Sequence, residues 1–235
     1  MAKDNKKLEV EKLKGEIERL KKELKKRKKY GLVWEEKPEE VVELCTNPKK
    51  KKFPVLKEVK SKEIKSKPAR PVRNGVSNGV NLLIEGDNYH ALSVLNYTHA
   101  KKVDVIYIDP PYNTGNKDFI FNDRYVDRED AYRHSKWLSF IEKRLKLAKN
   151  LLKDTGVIFI SIDDNEMPQL KLLMDNPDLF GEKNFIVNFL RKSGIAPLHD
   201  AKYISIQHDY ILCYGRNIGH TRLNMLYVGK ILVTT

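Results

Sequence analysis

The chain has 235 residues, of which 40% are hydrophobic and 33% charged, and its net charge is +13 at neutral pH. This length accommodates one domain with a hydrophobic core plus accessory segments, and the positive charge favours a polyanionic partner, nucleic acid first, over a merely lysine-rich surface. Two isolated cysteines, no secretory signal and no apolar run of about 18 residues argue against a disulfide scaffold, secretion and a membrane span, so a cytoplasmic protein is expected.

Residues 1–30 predict a charged helix. Apolar side chains recur at alternating steps of three and four, at Val10, Leu13, Ile17, Leu20 and Leu24. This heptad seam lasts only about two repeats and is interrupted by Gly15, which favours a short helix that packs on the body or on a partner over a free coiled coil. The basic residues of 21–29 are equally compatible with phosphate contacts and with a solvated face.

Residues 31–80 predict a basic connector. The stretch mixes Pro, Gly, Ser and Asn with charge, and ten basic residues between Lys49 and Arg70 face only two acidic ones, Glu58 and Glu63. No strong periodicity is present, so an extended and partly ordered arm is expected. It either follows a nucleic-acid backbone or serves as a plain linker.

From Asn81 onward, strands and helices alternate. Strand patterns occur at 81–84, 103–109, 157–163, 184–190 and 208–215, and helix patterns follow in the 89–100, 127–156 and 165–175 stretches. The 103–109 run VDVIYID is nearly all apolar, which is typical of a strand buried on both faces. The 127–156 helix has an apolar stripe ended by Gly156, and the stripe comprises Trp137, Ile141, Leu145, Ala148 and Leu152.

This alternation predicts an α/β fold with a mainly parallel sheet. In such sheets ligands bind beyond the carboxyl ends of the strands. Three aspartates follow predicted strands at such ends: Asp87, Asp109 and Asp163. The sequence therefore predicts a ligand site at that edge.

The stretch DPPYNTG, residues 109–115, carries the most specific chemistry. Asp109 ends its strand, so its carboxylate can face the crevice. Pro110 and Pro111 fix their φ angles and donate no N–H, which leaves carbonyls free as acceptors in a rigid loop. Tyr112 offers a flat ring. A charged acceptor, carbonyl acceptors and a stacking surface together suit a planar heterocycle with an exocyclic amino group.

An adenine or cytosine amino nitrogen is a poor nucleophile because its lone pair is delocalised into the ring. Two acceptors that bind its N–H groups favour a tetrahedral nitrogen and release that lone pair for attack on a methyl donor. A base within a duplex must first be flipped out and stacked, here on Tyr112, at a cost of roughly a few kcal/mol. The alternative is an ordinary turn start, since Asp-Pro-Pro is common in turns.

The motif DPPYNTG resembles the catalytic motif of amino-group DNA methyltransferases, in the β arrangement of the adenine enzymes. A wider resemblance is to the modification (Mod) subunit of type III restriction–modification systems. It is carried by YGLVWEEKPEEV, LLIEGDNYHALSVLNYT, RHSKWLSFIEKRLKLAKNLL, GVIFISIDDNE and QHDYILCYGRN. The fold it implies is a partial Rossmann-like methyltransferase sheet with flanking helices, preceded by the charged helix.

The resemblance also implies roles and partners. Asp109 binds the target amine and lies against the methionine part of S-adenosylmethionine, Pro110 and Pro111 form the rigid catalytic turn, with Pro110 lending its carbonyl, and Tyr112 stacks on the flipped adenine. Asp87 and Asn88 help to hold the cofactor. The implied partners are double-stranded DNA and a restriction (Res) helicase–nuclease subunit, a homodimer is compatible, and no metal is expected.

Other polar residues near these motifs have simpler interpretations. Asp163 and Asp164 are expected to cap the next helix at its N-terminus. His134, Lys136 and Trp137 lie either near the pocket or in ordinary packing, and His208 and Tyr210 are expected to be strand residues rather than ligands.

The sequence departs from the family in lacking the Phe-x-Gly-x-Gly cofactor loop. We therefore expect the front half of a catalytic core at 81–220, a tail at 221–235, and little or no transfer by this chain alone. Two alternatives remain open: a catalytically silent remnant that binds DNA or partners through its basic segments, and a methyltransferase that acts on cytosine N4.

Overall fold

The computed structural model describes residues 11, 13–18, 34–46, 52–63, 81–192 and 207–224. The chain divides into two compact units, residues 1–33 and 34–235. In the first unit residues 13–18 are helical, and Leu13 and Ile17 are exposed. The other predicted seam residues, Val10, Leu20 and Leu24, lie outside the described residues.

The second unit contains the α/β structure. Its helices are α1 (Glu40–Thr46), α2 (Asn88–Thr98), α3 (Arg133–Leu151) and α4 (Met167–Met174). Its strands are β1 (Val103–Ile108), β2 (Ile120–Phe121), β3 (Arg124–Tyr125), β4 (Leu152–Ile162), β5 (Phe185–Lys192) and β6 (His208–Gly215), with short 3-10 turns at Lys60–Lys62 and Glu182–Asn184. None of the described helices is long and apolar enough to cross a membrane.

Four strands form the main sheet in the order β1-β4-β6-β5. β1 and β4 are parallel and are joined through α3, whereas β6 pairs antiparallel with both β4 and β5. The α/β class is confirmed, but the expectation of a mainly parallel sheet is wrong for the described strands, because β6 runs back between two strands of the opposite direction. As a result, the end of β1 and the start of β6 lie at the same edge of the sheet.

The long amphipathic helix is shorter than predicted. Residues 127–132 form turns, and the backbone of Leu152 switches to the extended conformation where it pairs with Val103. Four of the five predicted stripe residues are buried on α3, and Leu152 is buried on β4 instead. Gly156 lies within β4 and does not end the helix, because the tertiary pairing with β1 outcompetes the helical propensity of 152–156.

β1 lies at the edge of the described sheet. Val105 and Tyr107 on one of its faces are 57% and 56% exposed, so the expectation of burial on both faces is wrong. The predicted strand at 81–84 is also absent, since these residues have no regular structure and Leu83 is 98% exposed. The described elements thus leave one face of β1 exposed.

A β-hairpin lies a short loop after the DPPYNTG stretch. β2 and β3 pair antiparallel through a two-residue turn, Asn122 and Asp123, with φ angles of 49° and 60°. Left-handed Asn and Asp are typical of the tight turns that match strand twist. The buried ring of Phe119 lies 5.3 Å from that of Phe140, which fixes the hairpin against α3.

Part of the predicted connector packs on the body. The backbone N–H of Lys37 donates to the Ser139 hydroxyl on α3 at 3.0 Å, and Asn122 donates to the Pro38 carbonyl at 3.0 Å. Glu39 is buried and pairs with Arg144 of α3 at 2.7 Å. Residues 34–46 are therefore a structural part of the second unit.

Candidate active site

Asp109 lies immediately after β1, at the carboxyl edge of the sheet. Its carboxylate is solvent-exposed, and one of its oxygens accepts a hydrogen bond of 2.6 Å from the Ser161 hydroxyl on the neighbouring strand β4. Ser161 itself is buried and is also 3.2 Å from the Ile108 carbonyl. A carboxylate has about four acceptor sites, so Asp109 is held in place and keeps acceptor capacity towards solvent.

The two prolines have different surroundings. The buried indole of Trp137 on α3 donates to the Pro111 carbonyl at 2.7 Å. No described residue donates a hydrogen bond to the Pro110 carbonyl. The Pro111 carbonyl thus attaches the rigid turn to α3, while the role of the Pro110 carbonyl as an acceptor for a target amine stays a prediction.

Tyr112 is half-buried beside Asp109. Burial raises the pKa of the Tyr112 phenol, and the Asp109 carboxylate raises it further, while the Ser161 hydroxyl opposes this. The phenol therefore stays protonated next to the carboxylate. Of the four predicted catalytic residues, Asp109 is exposed, Pro111 and Tyr112 are half-buried and Pro110 is buried.

The loop that follows is stabilised by its own side chains. The Thr114 N–H and hydroxyl donate to the two Asp118 oxygens at 2.9 and 3.0 Å. Gly115 has a φ of +83°, and a Cβ there would lie 2.6 Å from Arg128, so only glycine fits this close approach. Gly115 of the NTG sequence is therefore required by the backbone.

Sequence reasoning missed the buried contact between Asn113 and Glu166 behind this turn, although it named His134, which also contacts Glu166. Asn113 and Glu166 are fully buried, and the Asn113 amide donates to Glu166 Oε1 at 2.5 Å. His134 Nδ1 lies 2.7 Å from the same oxygen. Burial raises the pKa of Glu166, while the hydrogen bonds from Asn113 and His134 oppose that rise. Ser161, a polar residue within a buried strand, was the other missed residue, and its position among Val and Ile was the available signal.

The expected helix caps are wrong. Asp163 accepts hydrogen bonds from the backbone and side chain of Asn165, while Asp164 accepts from the Tyr210 hydroxyl at 2.8 Å. The residue at the start of α4 is Glu166, which makes no capping bond. A tight turn at 163–165 satisfies Asp163 before the helix begins.

The carboxyl edge of the sheet is rich in carboxylates. Asp163 and Asp164 follow β4 and Asp209 lies on β6, where Arg191 of β5 pairs with it at 2.6 Å. Burial raises the pKa of Asp163, and Asp209 and Asp164 add to the rise. An edge of this charge suits a neutral amine donor better than a phosphate. Tyr210 and His208 lie 3.1 Å apart on β6, as strand residues.

Asp87 occupies the N-cap of α2. One oxygen accepts from the backbone N–H groups of Tyr89 and His90, and the other lies 3.5 Å from Arg144. Its carboxylate is thus engaged in structure. Asn88, the first residue of α2, is exposed. Among the described contacts none joins Asp87 to Asp109, so a cofactor role for this turn stays a prediction.

Another concavity lies away from Asp109. It has a volume of about 310 Å³ and is lined by Asp104, Thr155, His220 and Arg222 among others. Asp104 and Thr155 are near the starts of β1 and β4, at the opposite edge of the sheet. No group of three or more metal-binding side chains occurs in the described part of the chain.

The family of the chain follows from its sequence. The family model for N6/N4 DNA methylases matches residues 103–225, which include the Asp109 turn and all four strands of the main sheet. This match covers more than half of the chain. The chain belongs to the DNA methylase family. The α/β sheet and the exposed Asp109 turn are therefore those of a DNA methylase.

Named relatives agree. The chain is 44% identical over 160 residues to the type III restriction–modification enzyme StyLTI Mod subunit of Salmonella typhimurium. It is 41% identical over 163 residues to the EcoPI Mod subunit of Escherichia phage P1, and 44% identical over 133 residues to the type II methyltransferase M.KpnI of Klebsiella pneumoniae. The matches cover 59%, 60% and 56% of this chain but only 24%, 25% and 31% of the relatives. The predicted resemblance to type III Mod subunits is confirmed.

Proposed function

We propose that this chain carries the target-amine side of the active site of a DNA adenine-N6 methyltransferase that takes its methyl group from S-adenosylmethionine. The single observation that supports this most directly is the exposed Asp109 carboxylate, which accepts a hydrogen bond of 2.6 Å from the Ser161 hydroxyl. The adjacent Pro110 carbonyl accepts no hydrogen bond from the described residues. Membership of the DNA methylase family and the resemblance to Mod subunits support the reaction class.

The residues act on the amine by hydrogen bonding. Asp109 and the Pro110 carbonyl each accept one N–H of the exocyclic amino group, which directs the nitrogen lone pair away from the ring. Trp137 holds the turn from behind through Pro111, so the acceptors need little reorganisation. The half-buried ring of Tyr112 stacks on a base that has left the duplex.

The chain's own residues fit S-adenosylmethionine through Asp109 and Asn88. Asp109 offers an exposed carboxylate for the cationic methionine part, and Asn88 offers an exposed amide at the start of α2. Asp87 supports this turn as a cap rather than as a direct ligand. When bound, the cofactor supplies an electrophilic methyl group on a sulfonium.

We further propose that the substrate is double-stranded DNA and that a Res subunit is the partner in the complete enzyme. The +13 charge and three type III Mod relatives favour this. A type II methyltransferase is as similar as the Salmonella Mod subunit. The shared segment therefore carries the transfer chemistry, and co-purification with a Res subunit tests the partnership separately.

The experiment measures methyl transfer from labelled S-adenosylmethionine to duplex DNA, followed by digestion to nucleosides. The chain is assayed alone and together with the part of the Salmonella Mod subunit that lies beyond the matched segment, because the chain spans about a quarter of that relative's length. We expect label in N6-methyladenine, and a loss of about 10²- to 10³-fold in Asp109→Asn, as for removal of a transition-state hydrogen-bonding group.

Asp154→Asn is the matched control, since Asp154 is exposed on β4 at the far end from Asp109, and it should retain transfer. Label in N4-methylcytosine would assign the alternative base. Bound DNA without transfer in either mixture would favour the silent binding protein, and full activity in Asp109→Asn would contradict the role of Asp109.

A further inference from the structure

The turn that bears Asp109 ends at Asn113, whose backbone conformation is uncommon for a residue other than glycine. Asn113 has a φ of +58°, in the left-handed region, and its side chain is fully buried. Asn tolerates this region better than most residues, yet it still needs support from its surroundings. The contacts of its side chain therefore decide where Pro110, Pro111 and Tyr112 lie.

That support comes from Glu166 and the start of α3. Asn113 donates to Glu166 Oε1 at 2.5 Å and to the Arg133 carbonyl at 3.3 Å, and the Arg133 guanidinium is 3.4 Å from the Asn113 carbonyl. The turn, α3 and the residue that precedes α4 are thus joined by one buried carboxylate, and Glu166 lies 53 residues from Asn113 in sequence.

The hydrogen-bond directions in this cluster are fixed by Arg133. Its Nε–H donates to His134 Nε2 at 3.2 Å, so that nitrogen must carry a lone pair. The proton of His134 then lies on Nδ1, which donates to Glu166 Oε1 at 2.7 Å. Glu166 Oε1 accepts from both Asn113 and His134, and its own position is therefore fixed from two sides.

We propose that Glu166 is a positioning residue: its buried carboxylate holds Asn113, and through it the Asp109–Tyr112 turn, in the orientation that receives the target amine. Glu166 is fully buried and contacts no surface that a substrate reaches, so it acts through Asn113 and not on the base. The catalytic consequence of this inference rests on the proposed function. The effect of Glu166 on the turn does not depend on that function and is measured separately.

The test measures hydrogen exchange of the two hydrogen-bonded turn amides, Thr114 and Asn116, which donate to the Asp118 carboxylate and the Thr114 hydroxyl, in the full chain. Glu166→Ala removes the acceptor and should speed exchange of these amides by roughly 10- to 100-fold, because they then open locally without global unfolding. Glu166→Gln keeps an acceptor oxygen in the same place and should restore near wild-type protection. Glu182→Ala, the same change at an exposed glutamate, should leave the turn unchanged.

Asn113→Gly provides a second variant should Glu166→Ala fail to fold. Glycine accepts the left-handed backbone without strain and deletes only the side chain, so it should speed exchange of the turn as Glu166→Ala does. If the two residues act as one unit, the double variant adds nothing to either single change. Wild-type protection of the turn in Asn113→Gly and in Glu166→Ala would overturn the proposal.

Methyl transfer gives the second readout. In the mixture that transfers, Glu166→Ala should lower kcat by about 10- to 100-fold with KM for DNA unchanged, since misplacement of reacting groups by about 1 Å has such an effect. A purely structural role would instead lower the folded fraction and leave kcat per folded molecule intact. Absence of transfer in the wild-type chain contradicts the proposed function alone, because exchange of the turn amides still decides the role of Glu166.

Discussion

Two buried glutamates attach different parts of the molecule to α3, and they do so with different partners. Glu39 pairs with the guanidinium of Arg144, and both side chains are about 6–7% exposed. Glu166 contacts the start of the same helix at His134 and accepts hydrogen bonds from the Asn113 amide and the His134 imidazole. The first is a charge pair, and the second is a carboxylate held by hydrogen bonds.

The difference indicates what each cluster stabilises. A buried ion pair is expensive to break because either partner alone remains charged and desolvated, so Glu39 and Arg144 fix residues 34–46 to the body. Burial raises the pKa of the Glu166 carboxyl despite its hydrogen bonds, so its charged form is disfavoured in the folded chain. We infer that Glu166 positions the Asp109 turn rather than stabilises the fold.

Breaking the ion pair should give the largest effect on stability. Arg144→Met leaves Glu39 buried without a counterion and also removes the guanidinium that lies 3.7 Å from the centre of the Phe140 ring. We expect a loss of about 3–5 kcal/mol in the free energy of unfolding, measured by urea denaturation. The protein should lose global stability, with the turn amides affected no more than the rest.

Two controls sharpen this result. Lys146→Ala breaks an exposed i,i+4 pair with Glu142 on the same helix and should cost about 0.5 kcal/mol or less. The double variant Glu39→Met with Arg144→Met replaces both charges by apolar groups and should recover most of the loss. A loss no larger than that of Lys146→Ala would show that the pair does not anchor residues 34–46.

Glu166 should instead affect how the stability of the protein depends on pH. Its pKa in the folded chain is raised above the unfolded value of 4.5 by burial, so its contribution is complete below that value and is lost as the pH rises through the folded pKa. Glu166→Gln does not titrate. We therefore expect the stability of this variant relative to wild type to increase as the pH rises from 4 to 7.

Urea denaturation at several pH values measures this difference. The charged and titratable groups that face Glu166 are Arg133 and His134 of α3, and both are present in wild type and in the variant. Glu182→Gln should show no such trend, since Glu182 is exposed. If the difference in the free energy of unfolding between Glu166→Gln and wild type does not change with pH, the raised pKa of Glu166 is contradicted.

The sequence predicted the residues of the turn itself better than the buried residues that support it. Asp109, Pro110, Pro111 and Tyr112 are consecutive, so the strand that precedes them and the stiffness of proline suffice to place them together. Ser161 and Glu166 reach the same turn from 52 and 53 residues away. Their roles depend on the pairing of β1 with β4 and on the packing of α3, which local pattern does not specify.

The same distinction explains the errors in the fold. Strand β6 has the predicted bounds because the apolar run is short and ends at Gly215. The end of α3 does not, because residues 152–156 are compatible with a helix until β1 pairs with them. The Asn122–Asp123 hairpin had a recognisable turn signal in the sequence, whereas the exposure of β1 depends on what lies beside the strand.

The smallest expected effect concerns the other link between the turn and α3. Trp137→Phe keeps an aromatic ring in the core but removes the N–H that donates to the Pro111 carbonyl, at a cost of about 1–2 kcal/mol. If the turn is positioned from behind, exchange of the turn amides should increase more than that of the β4 and β6 amides. Trp34→Phe is a matched change, since the buried Trp34 Nε1 has no partner among the described residues, and it should not affect the turn. Equal effects of the two substitutions on the turn amides would mean that the Trp137 hydrogen bond does not position the turn. Glu166 would then be the main support of the turn.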